Sequence, residues 1–517
     1  MTTPAADAVQ EVDVVVVGGG VNGAGIARDL AGRGARVMLC EKDDLASHTS
    51  SSSTKLIHGG LRYLEYREFA LVRKALAERE ILLKGAPHIM WPLRFVMPHD
   101  PSMRPVWMIQ LGLFLYDHLA RRDVLPASRT VDLHAHIAGK PLKPQFTKGF
   151  VYSDGWVDDA RLVALCALDA AERGATVLTR TACVHAERGA DRWRVRLQAD
   201  AGEPYEVSAR VLVNAAGPWA AQFLSEHAHV ADKVHLRLIK GSHIVVPRLF
   251  EHDHAYIFQN PDGRIIFAIP YEHAFTLIGT TDIEHHGPIG EARAEPDEIA
   301  YLCAQASRYF ARQVVPGEVI WTYSGVRPLL DDESGNPAAV TRDYRLELDT
   351  GKPGGSKAPL LSVWGGKITT FRRLAEETSE HLSSHLTLGA AWTAGAMLPG
   401  GDMRARLGNA APAETDLVAT FDAFVMQLVR KHPSLPAALL RRLARAYGTR
   451  ADRILGGDLG AEVVTNVFEA ELAYLRRVEW ARTGDDVLWR RSKLGLHLTL
   501  AERDAVDSWM AGATFPR

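Results

Sequence analysis

The sequence predicts an α/β fold in which a parallel nucleotide-binding sheet is joined by an antiparallel sheet and followed by a helical C-terminal region. Three observations predict it. A buried-type strand, Val14–Val17, runs into Gly18-x-Gly20-x-x-Gly23 and then into a helix carrying Ile26, Leu30 and Ala31 at helical spacing. Two more strand-to-glycine-turn segments stand far downstream, at residues 214–217 and 365–367. Residues 234–345 carry short alternating strands, and beyond Pro399-Gly400-Gly401 the chain turns Ala/Leu/Arg-rich with a helical period.

In the first unit each glycine has its own task. Gly18 permits the tight turn, Gly20 lets backbone approach a pyrophosphate without a Cβ in the way, and Gly23 lets the helix lie close on the strand. The helix aims its first N–H groups and the positive end of its dipole at the phosphates. A second strand, residues 36–40, ends in Glu41, whose carboxylate suits both ribose hydroxyls and repels a 2′-phosphate. These residues favour FAD or NAD over NADP and do not separate the two.

The next stretch is a brief Ser/Thr run, residues 47–54, read as a folded phosphate-facing loop, and then an amphipathic helix over 61–84. Residues 87–144, rich in proline, tryptophan and histidine, read as an insertion. Residues 156–173 are predicted helical, 176–178 a strand, and 211–214 a strand entering the second glycine turn. Strands are expected at 243–246, 264–269 and 275–279, in an antiparallel sheet that would roof a substrate. The strand 360–364 then repeats the glycine-turn scheme before a helix to about residue 385.

Composition bounds the function. The 517 residues are 47% hydrophobic and 24% charged, ordinary for a large folded core, and a formal net charge of −2 excludes a general attraction to nucleic acid. Cys40, Cys166, Cys183 and Cys303 lie far apart, so neither a disulfide framework nor a metal site is predicted, and the expected compartment is reducing. The first eleven residues lack a signal-peptide pattern. The most lipid-like stretch, residues 105–116, is shorter than the ~20 residues a spanning helix needs. It reads as a buried core helix, with a membrane-surface helix as the alternative.

Three glycine turns scattered over the chain favour FAD, because an embedded flavin touches several distant turns whereas a nicotinamide site is completed in one contiguous unit. Gly365-Gly366 opening a helix would place N–H groups and Lys367 near the end of the flavin ring where negative charge develops on reduction.

Longer motifs extend this reading: Val-Gly-Gly-Gly-Val-Asn-Gly-Ala-Gly (17–25), Ser-Ser-Thr-Lys-Leu-Ile-His-Gly-Gly-Leu-Arg-Tyr-Leu-Glu (52–65), Tyr-Ser-Asp-Gly-Trp-Val-Asp-Asp-Ala-Arg-Leu (152–162), Asn-Ala-Ala-Gly-Pro-Trp (214–219), Lys-Gly-Ser-His-Ile-Val-Val-Pro (240–247), Ile-Gly-Thr-Thr-Asp (278–282), Trp-Thr-Tyr-Ser-Gly-Val-Arg-Pro-Leu (321–329), Thr-Arg-Asp-Tyr (341–344) and Gly-Gly-Lys-Ile-Thr-Thr (365–370). With these, nearly the whole chain resembles the FAD-dependent, quinone-linked glycerol-3-phosphate dehydrogenases. The departures are small: Ser52 stands where relatives often carry alanine, and the first eleven residues look like an extension.

The resemblance implies a glutathione-reductase-like FAD-binding Rossmann domain (11–90, 145–225 and 345–386), an antiparallel substrate domain (91–144 and 226–344) and a helical C-terminal domain (387–517). It implies that FAD is held by Gly18, Gly20, Asn22, Gly23 and Glu41; by Thr49, Ser50, Ser51, Ser53, His58, Gly59 and Gly60; by Cys183, Val184, Ala215, Gly217 and Trp219; and by Gly366, Lys367 and Thr369.

A small phosphorylated alcohol needs two or more cations in fork geometry, and arginine provides it. Arg327 and Arg342 are the expected clamp, with Arg62 and Tyr63 converging from the flavin loop and Thr280 and Thr281 adding hydroxyl contacts. Paired arginines also speak against an amino-acid oxidase, which needs one arginine for a carboxylate.

Oxidising a secondary alcohol requires a base beside the flavin. Of the 21 histidines, His243 is the better candidate, because an unperturbed pKa of ~6.5 suits a base at neutral pH; His58 is the alternative. The expected reaction is sn-glycerol 3-phosphate to dihydroxyacetone phosphate, with electrons passed to quinone at the cytoplasmic face of the membrane. Residues 105–122 are the candidate contact with the membrane surface, and a homodimer is expected. An oxygen-using oxidase and a flavin-bound regulator without turnover are the rivals.

Overall fold

The computed structural model describes residues 9–100, 104–230, 234, 236–330, 343–351 and 357–512. Its first sheet runs in the order Arg345–Asp349, Leu360–Trp364, Tyr205–Asn214, Gln10–Val17, Val37–Cys40 and Thr176–Leu178. The hairpin Thr181–Arg188 and Trp193–Ala199 is attached beside Tyr205–Asn214. Gln10–Val17 lies parallel to both neighbours, with Val17 opposite Asn214 on one side and Cys40 on the other, and Asn214 is opposite Ser362 in turn. Parallel strands in this register end at one edge, so the three glycine turns, spread over more than three hundred residues of sequence, become neighbours.

The helix Val21–Gly32 packs between Asp159–Glu172 and Phe371–Leu382. Val14, Val16, Ala24, Ile26, Leu30, Leu162, Leu361 and Leu374 close the core between them, all but fully buried. Ile26, Leu30 and Ala31, the apolar positions at helical spacing in the sequence, are buried in this core.

The second sheet has ten strands: Ile283–Glu284, Leu236–Pro247, Phe275–Gly279, Ile265–Tyr271, Ala255–Gln259, Met90–Pro98, Lys148–Val157 and Leu56–Ile57 in order, with Trp321–Leu330 beside Leu236–Pro247 and Arg129–Asp132 beside Lys148–Val157. Among the described residues, only Ala255–Gln259 and Met90–Pro98 pair in parallel in this sheet; the other pairings are antiparallel. The stretch read as an insertion therefore supplies a central strand. Lys148–Val157, within a segment assigned to the nucleotide domain, hydrogen-bonds into this second sheet.

Three local expectations change. The predicted helix over 61–84 is a 3₁₀ turn, Leu61–Tyr66, then a helix, Phe69–Gly85, because Arg67 takes a left-handed conformation (φ 59°) that a right-handed helix cannot continue through. The helix expected from 156 begins at Asp159: Trp156 and Val157 complete a strand, and Asp158 caps the helix by accepting from the Arg161 backbone N–H. The segment at 105–116 forms a helix, Val106–His118, but not a core helix. It buries Ile109, Leu113 and Tyr116 and leaves Trp107, Leu111 and Phe114 63%, 51% and 57% exposed.

The C-terminal region has its own core. Phe421, Phe424, Leu428, Leu440, Leu443, Leu472 and Leu475 are buried among the helices Leu417–Lys431, Ala437–Tyr447 and Glu469–Val478, with Val506 and Met510 from Leu500–Gly512.

Candidate active site

Two connected cavities run along the C-terminal edge of the first sheet and under the second. The narrower, about 320 Å³, is lined by Gly18, Gly20, Asn22, Glu41, Thr49, Ser50, Cys183, Val184, Ala215, Gly217, Trp219 and Gly366. All twelve are expected cofactor residues. Gly20 starts the helix with no side-chain cap, so helix N–H groups face this cavity, and only Ser50 Oγ reaches in, to the Val21 N–H at 2.9 Å.

Gly23 lies beneath rather than in the cavity: a Cβ there would sit 1.9 Å from the Gly18 carbonyl oxygen. At the far turn, Gly366 has φ +109°, and a Cβ there would meet Asn22 Nδ2 at 2.8 Å. Asn22 donates to the Gly365 carbonyl at 3.1 Å, and its Oδ1 is buried with no hydrogen-bond partner. An uncapped helix end, a glycine cradle and an unmatched buried amide oxygen together fit a dinucleotide pyrophosphate. Glu41 accepts from the Gly19 N–H at 2.6 Å and the Asp43 N–H at 2.9 Å; burial pushes its carboxyl up while those two N–H groups pull it down, and burial prevails. Burial likewise pushes the Cys183 thiol up to about 12, so it is a neutral wall of the cavity.

The wider chamber, about 590 Å³, shares Val21, Thr49, Ser50, Pro328, Gly365 and Gly366 with the first. Its lining gathers Ser53, His58, Arg62, Tyr63, His243, Thr280, Arg327, Lys367 and Thr369 from five separate stretches of chain. The flavin loop brings His58, whose N–H donates to Thr369 Oγ1 at 3.2 Å, and Lys367 Nζ lies 4.0 Å from the centre of the Tyr63 ring. His243 sits on the strand Leu236–Pro247, between Phe275–Gly279 and Trp321–Leu330, its register against Gly279 and Tyr323 placing it at the roof. Its ring stacks on Tyr323 at 4.7 Å, and Nε2 is 2.9 Å from Thr54 Oγ1. Burial, then the charges of Lys55 and Arg327, hold its pKa well below the ordinary 6.5. The ordinary value assumed from sequence is thus corrected: burial and the two cations keep the ring neutral in the neutral range, its lone pair unprotonated, and make it a weaker base than a free imidazole.

Arg327 donates to the Thr281 carbonyl at 3.1 Å and pairs with Asp282 at 2.5 Å, its side chain 35% exposed. Arg62 reaches across the chamber mouth to the Gly263 carbonyl at 3.0 Å. Several expected residues do not line the chamber. The Thr281 hydroxyl is spent within the sheet, donating to Glu298 at 2.6 Å and accepting from the Ser242 N–H at 2.9 Å. Ser51 Oγ turns back to the His48 carbonyl, and Gly59 and Gly60 shape the loop, the Gly59 N–H donating to the Tyr116 hydroxyl at 2.8 Å. Arg342 lies outside the described residues.

Comparison with known proteins gives this geometry its context. The family described as FAD dependent oxidoreductase matches residues 13–372, and that described as the C-terminal domain of alpha-glycerophosphate oxidase matches 391–512. A glycerol-3-phosphate dehydrogenase of Pseudomonas aeruginosa is 50% identical over 98% of this chain and 96% of its own length. The aerobic glycerol-3-phosphate dehydrogenase of Escherichia coli is 47% identical over 98% of each. The chain belongs to the FAD-dependent glycerol-3-phosphate dehydrogenase family. A D-erythritol 1-phosphate dehydrogenase of Brucella abortus is also 50% identical, over 97% of this chain and 98% of its own. Among solved structures, that of a Bacillus halodurans glycerol-3-phosphate dehydrogenase complexed with FAD superposes with a TM-score of 0.76 at 27% identity, covering 97% of this chain and 90% of that one.

Within this family member, the structure adds residues that the sequence reading did not single out. Asp262, Gly263 and Arg264 reach the chamber from the hairpin between Ala255–Gln259 and Ile265–Tyr271, and Asp282 and Thr54 stand beside Arg327 and His243. Thr54 and Asp282 stand inside two of the quoted motifs, 52–65 and 278–282, without having been given a role there. Nothing in the local sequence of the hairpin marks it as part of a site.

Proposed function

We propose that this protein oxidises sn-glycerol 3-phosphate to dihydroxyacetone phosphate and delivers the electrons to a quinone at a membrane surface. The observation that carries the reading is the convergence, in one chamber continuous with the nucleotide cavity, of a buried neutral imidazole with the cations Arg327, Lys367 and Arg62. FAD, when bound, supplies the two-electron acceptor for the hydride leaving C2. The chain's own residues do the rest. His243 accepts the C2 hydroxyl proton, Thr54 fixes the tilt of its ring, and Arg327 with Arg342 holds the phosphate dianion, assisted by Arg62 and Arg264 at the mouth. Lys367, at the glycine turn, favours negative charge at that end of the flavin site.

The exposed face of Val106–His118 supports the membrane part. Trp107, Met108, Leu111 and Phe114 form an apolar surface, and Tyr66 and Phe69 are exposed on the adjoining segment. Tyr66 also lines the substrate chamber, so this surface adjoins the mouth of the site. A groove of about 490 Å³ at the end of the helix is lined by Arg73, His118, Arg121 and Arg122 together with Asp117, which pairs with Arg122 while Asp123 pairs with Arg121; it is where anionic headgroups would meet cations. Among the described residues no helix is long and apolar enough to cross a membrane. The cytoplasmic side of the membrane and a homodimeric working unit belong to the same proposal; vesicle flotation and mass photometry read them directly.

A second reading, favoured by the equally similar erythritol-phosphate relative, is a four-carbon polyol phosphate as the better substrate. Comparing kcat/KM for glycerol 3-phosphate and D-erythritol 1-phosphate, with glycerol as the control, decides between them. Stoichiometric peroxide in the absence of quinone would instead mark an oxidase.

A further inference from the structure

The C-terminal domain touches the nucleotide-binding domain through a buried charge network behind the cofactor cavity. Asp44, 2% exposed, follows the Glu41 strand end, and both its oxygens are taken by Arg491 in bidentate geometry at 2.6 and 2.7 Å. Arg490 adds a third contact at 2.7 Å. Arg490 also pairs with Asp486, which Arg180 grips at 2.9 and 2.7 Å. Asp486 is fully buried. Burial would raise its pKa, but the Arg482 N–H and the charges of Arg490 and Arg180 outweigh that and hold it far below the usual range. It is an ionised hub.

The two nucleotide-domain members of this network, Asp44 and Arg180, lie in the loop after Glu41 and in the turn that enters the strand Thr181–Arg188, two loops whose neighbouring residues wall the nucleotide end of the cavity. Residues 41–42 and 46–50 line one side and residues 181–184 the other. The loops are tied to each other by the Arg180 N–H on the Asp43 carbonyl and the Thr181 N–H on the Glu41 carbonyl, both 2.7 Å. Each loop holds a non-glycine residue in the left-handed region, Ala46 at φ 60° and Arg180 at φ 51°. Such conformations persist where surrounding contacts over-determine them: Ala46 is held by its N–H on the Gly19 carbonyl at 3.1 Å, two residues from the Asp44 that Arg490 and Arg491 grip, and Arg180 by its N–H on the Asp43 carbonyl and its side chain on Asp486 of the C-terminal domain.

We infer that the C-terminal domain is a clamp on the cofactor: Asp486, Arg490 and Arg491 are positioning residues that, by gripping Asp44 and Arg180, fix the two loops that hold the nucleotide half of FAD. The inference rests on the cavity being the FAD site. It predicts that loosening the network lowers affinity for the nucleotide portion alone, not only for the whole cofactor.

The test is titration of deflavinated protein with FAD, followed by flavin fluorescence, and with ADP, followed by calorimetry. Asp44→Asn is expected to weaken FAD and ADP by the same factor, tenfold or more. Arg490→Gln, at a partly exposed member touching both carboxylates, should weaken both several-fold and serves if Asp44→Asn does not fold. Arg450→Ala removes an inter-domain pair with Glu172 outside the loops and should change neither affinity. A lowered melting temperature with FAD and ADP affinities unchanged in Asp44→Asn and Arg490→Gln would overturn the clamp. A wild-type chain that takes up no FAD would instead overturn the cofactor site itself.

Discussion

Replacing Arg327 with alanine tests the phosphate clamp and the state of His243 at once. A hydrogen-bonded charge pair that is desolvated on binding is worth about 2 to 5 kcal/mol when one partner is removed. Arg327 keeps 35% of its side chain exposed and already shares its charge with Asp282, so the lower part of that range applies, about 2 to 3 kcal/mol. At about 1.4 kcal/mol per decade this is a loss of roughly 30- to 140-fold in kcat/KM. The pH profile should move as well. The Arg327 cation is one of the causes, after burial and Lys55, that disfavour the imidazolium form of His243, so its removal raises that pKa. A base must be unprotonated, hence activity is lost as pH falls through the raised value, and the acid limb of log kcat/KM shifts toward neutrality. Both are read from steady-state rates with a water-soluble dye acceptor, which keeps the membrane out of the measurement. A kcat/KM within threefold of the parent, with an unmoved acid limb, would refute the placement of Arg327.

Other expected outcomes follow from the same geometry. His243→Asn should retain bound flavin, seen in its absorption spectrum, and lose roughly 10²- to 10⁴-fold in kcat, the range for loss of a general base; near-parent turnover would remove it from the proton path. Gly366→Ala puts a Cβ on a backbone at φ +109° and 2.8 Å from Asn22 Nδ2, so the purified variant should carry substoichiometric flavin, measured by the 450 nm to 280 nm absorbance ratio. Lys55→Met strands the buried Asp159 carboxylate that Lys55 holds at 2.7 Å; at about 3 to 5 kcal/mol for one partner of a buried pair, the thermal midpoint should fall by several degrees in calorimetry. Leu111→Glu with Phe114→Glu should abolish flotation with anionic vesicles while leaving dye-linked turnover intact.

What the sequence disclosed and what it withheld divide along physical lines. A glycine turn between strand and helix is a local backbone requirement, so Gly18, Gly20, Gly217 and Gly366 were legible, and parallel pairing explains why such distant turns meet. The roles of Thr281 and His243 depend on partners brought by tertiary structure. Thr281 stands beside the chamber, yet its hydroxyl is consumed by Ser242 and Glu298, and the His243 pKa is set by burial and by Lys55, which no spacing reveals. The helix Val106–His118 illustrates the same limit. Its run of apolar residues has little periodicity to say which face is covered, and only the packing of Ile109, Leu113 and Tyr116 against the second sheet distinguishes a half-buried surface helix from a core one. Asp262 and Arg264 entered the chamber through a hairpin fold-back that leaves no local mark.

The account stands on one chamber in which a three-carbon phosphoester meets the flavin. Anaerobic stopped-flow mixing of the purified holoprotein with glycerol 3-phosphate measures this most directly, through the flavin absorbance near 450 nm. The account predicts rapid, saturable bleaching by glycerol 3-phosphate and none by glycerol. Flavin that stays oxidised at every glycerol 3-phosphate concentration, or that bleaches equally with glycerol, would contradict it.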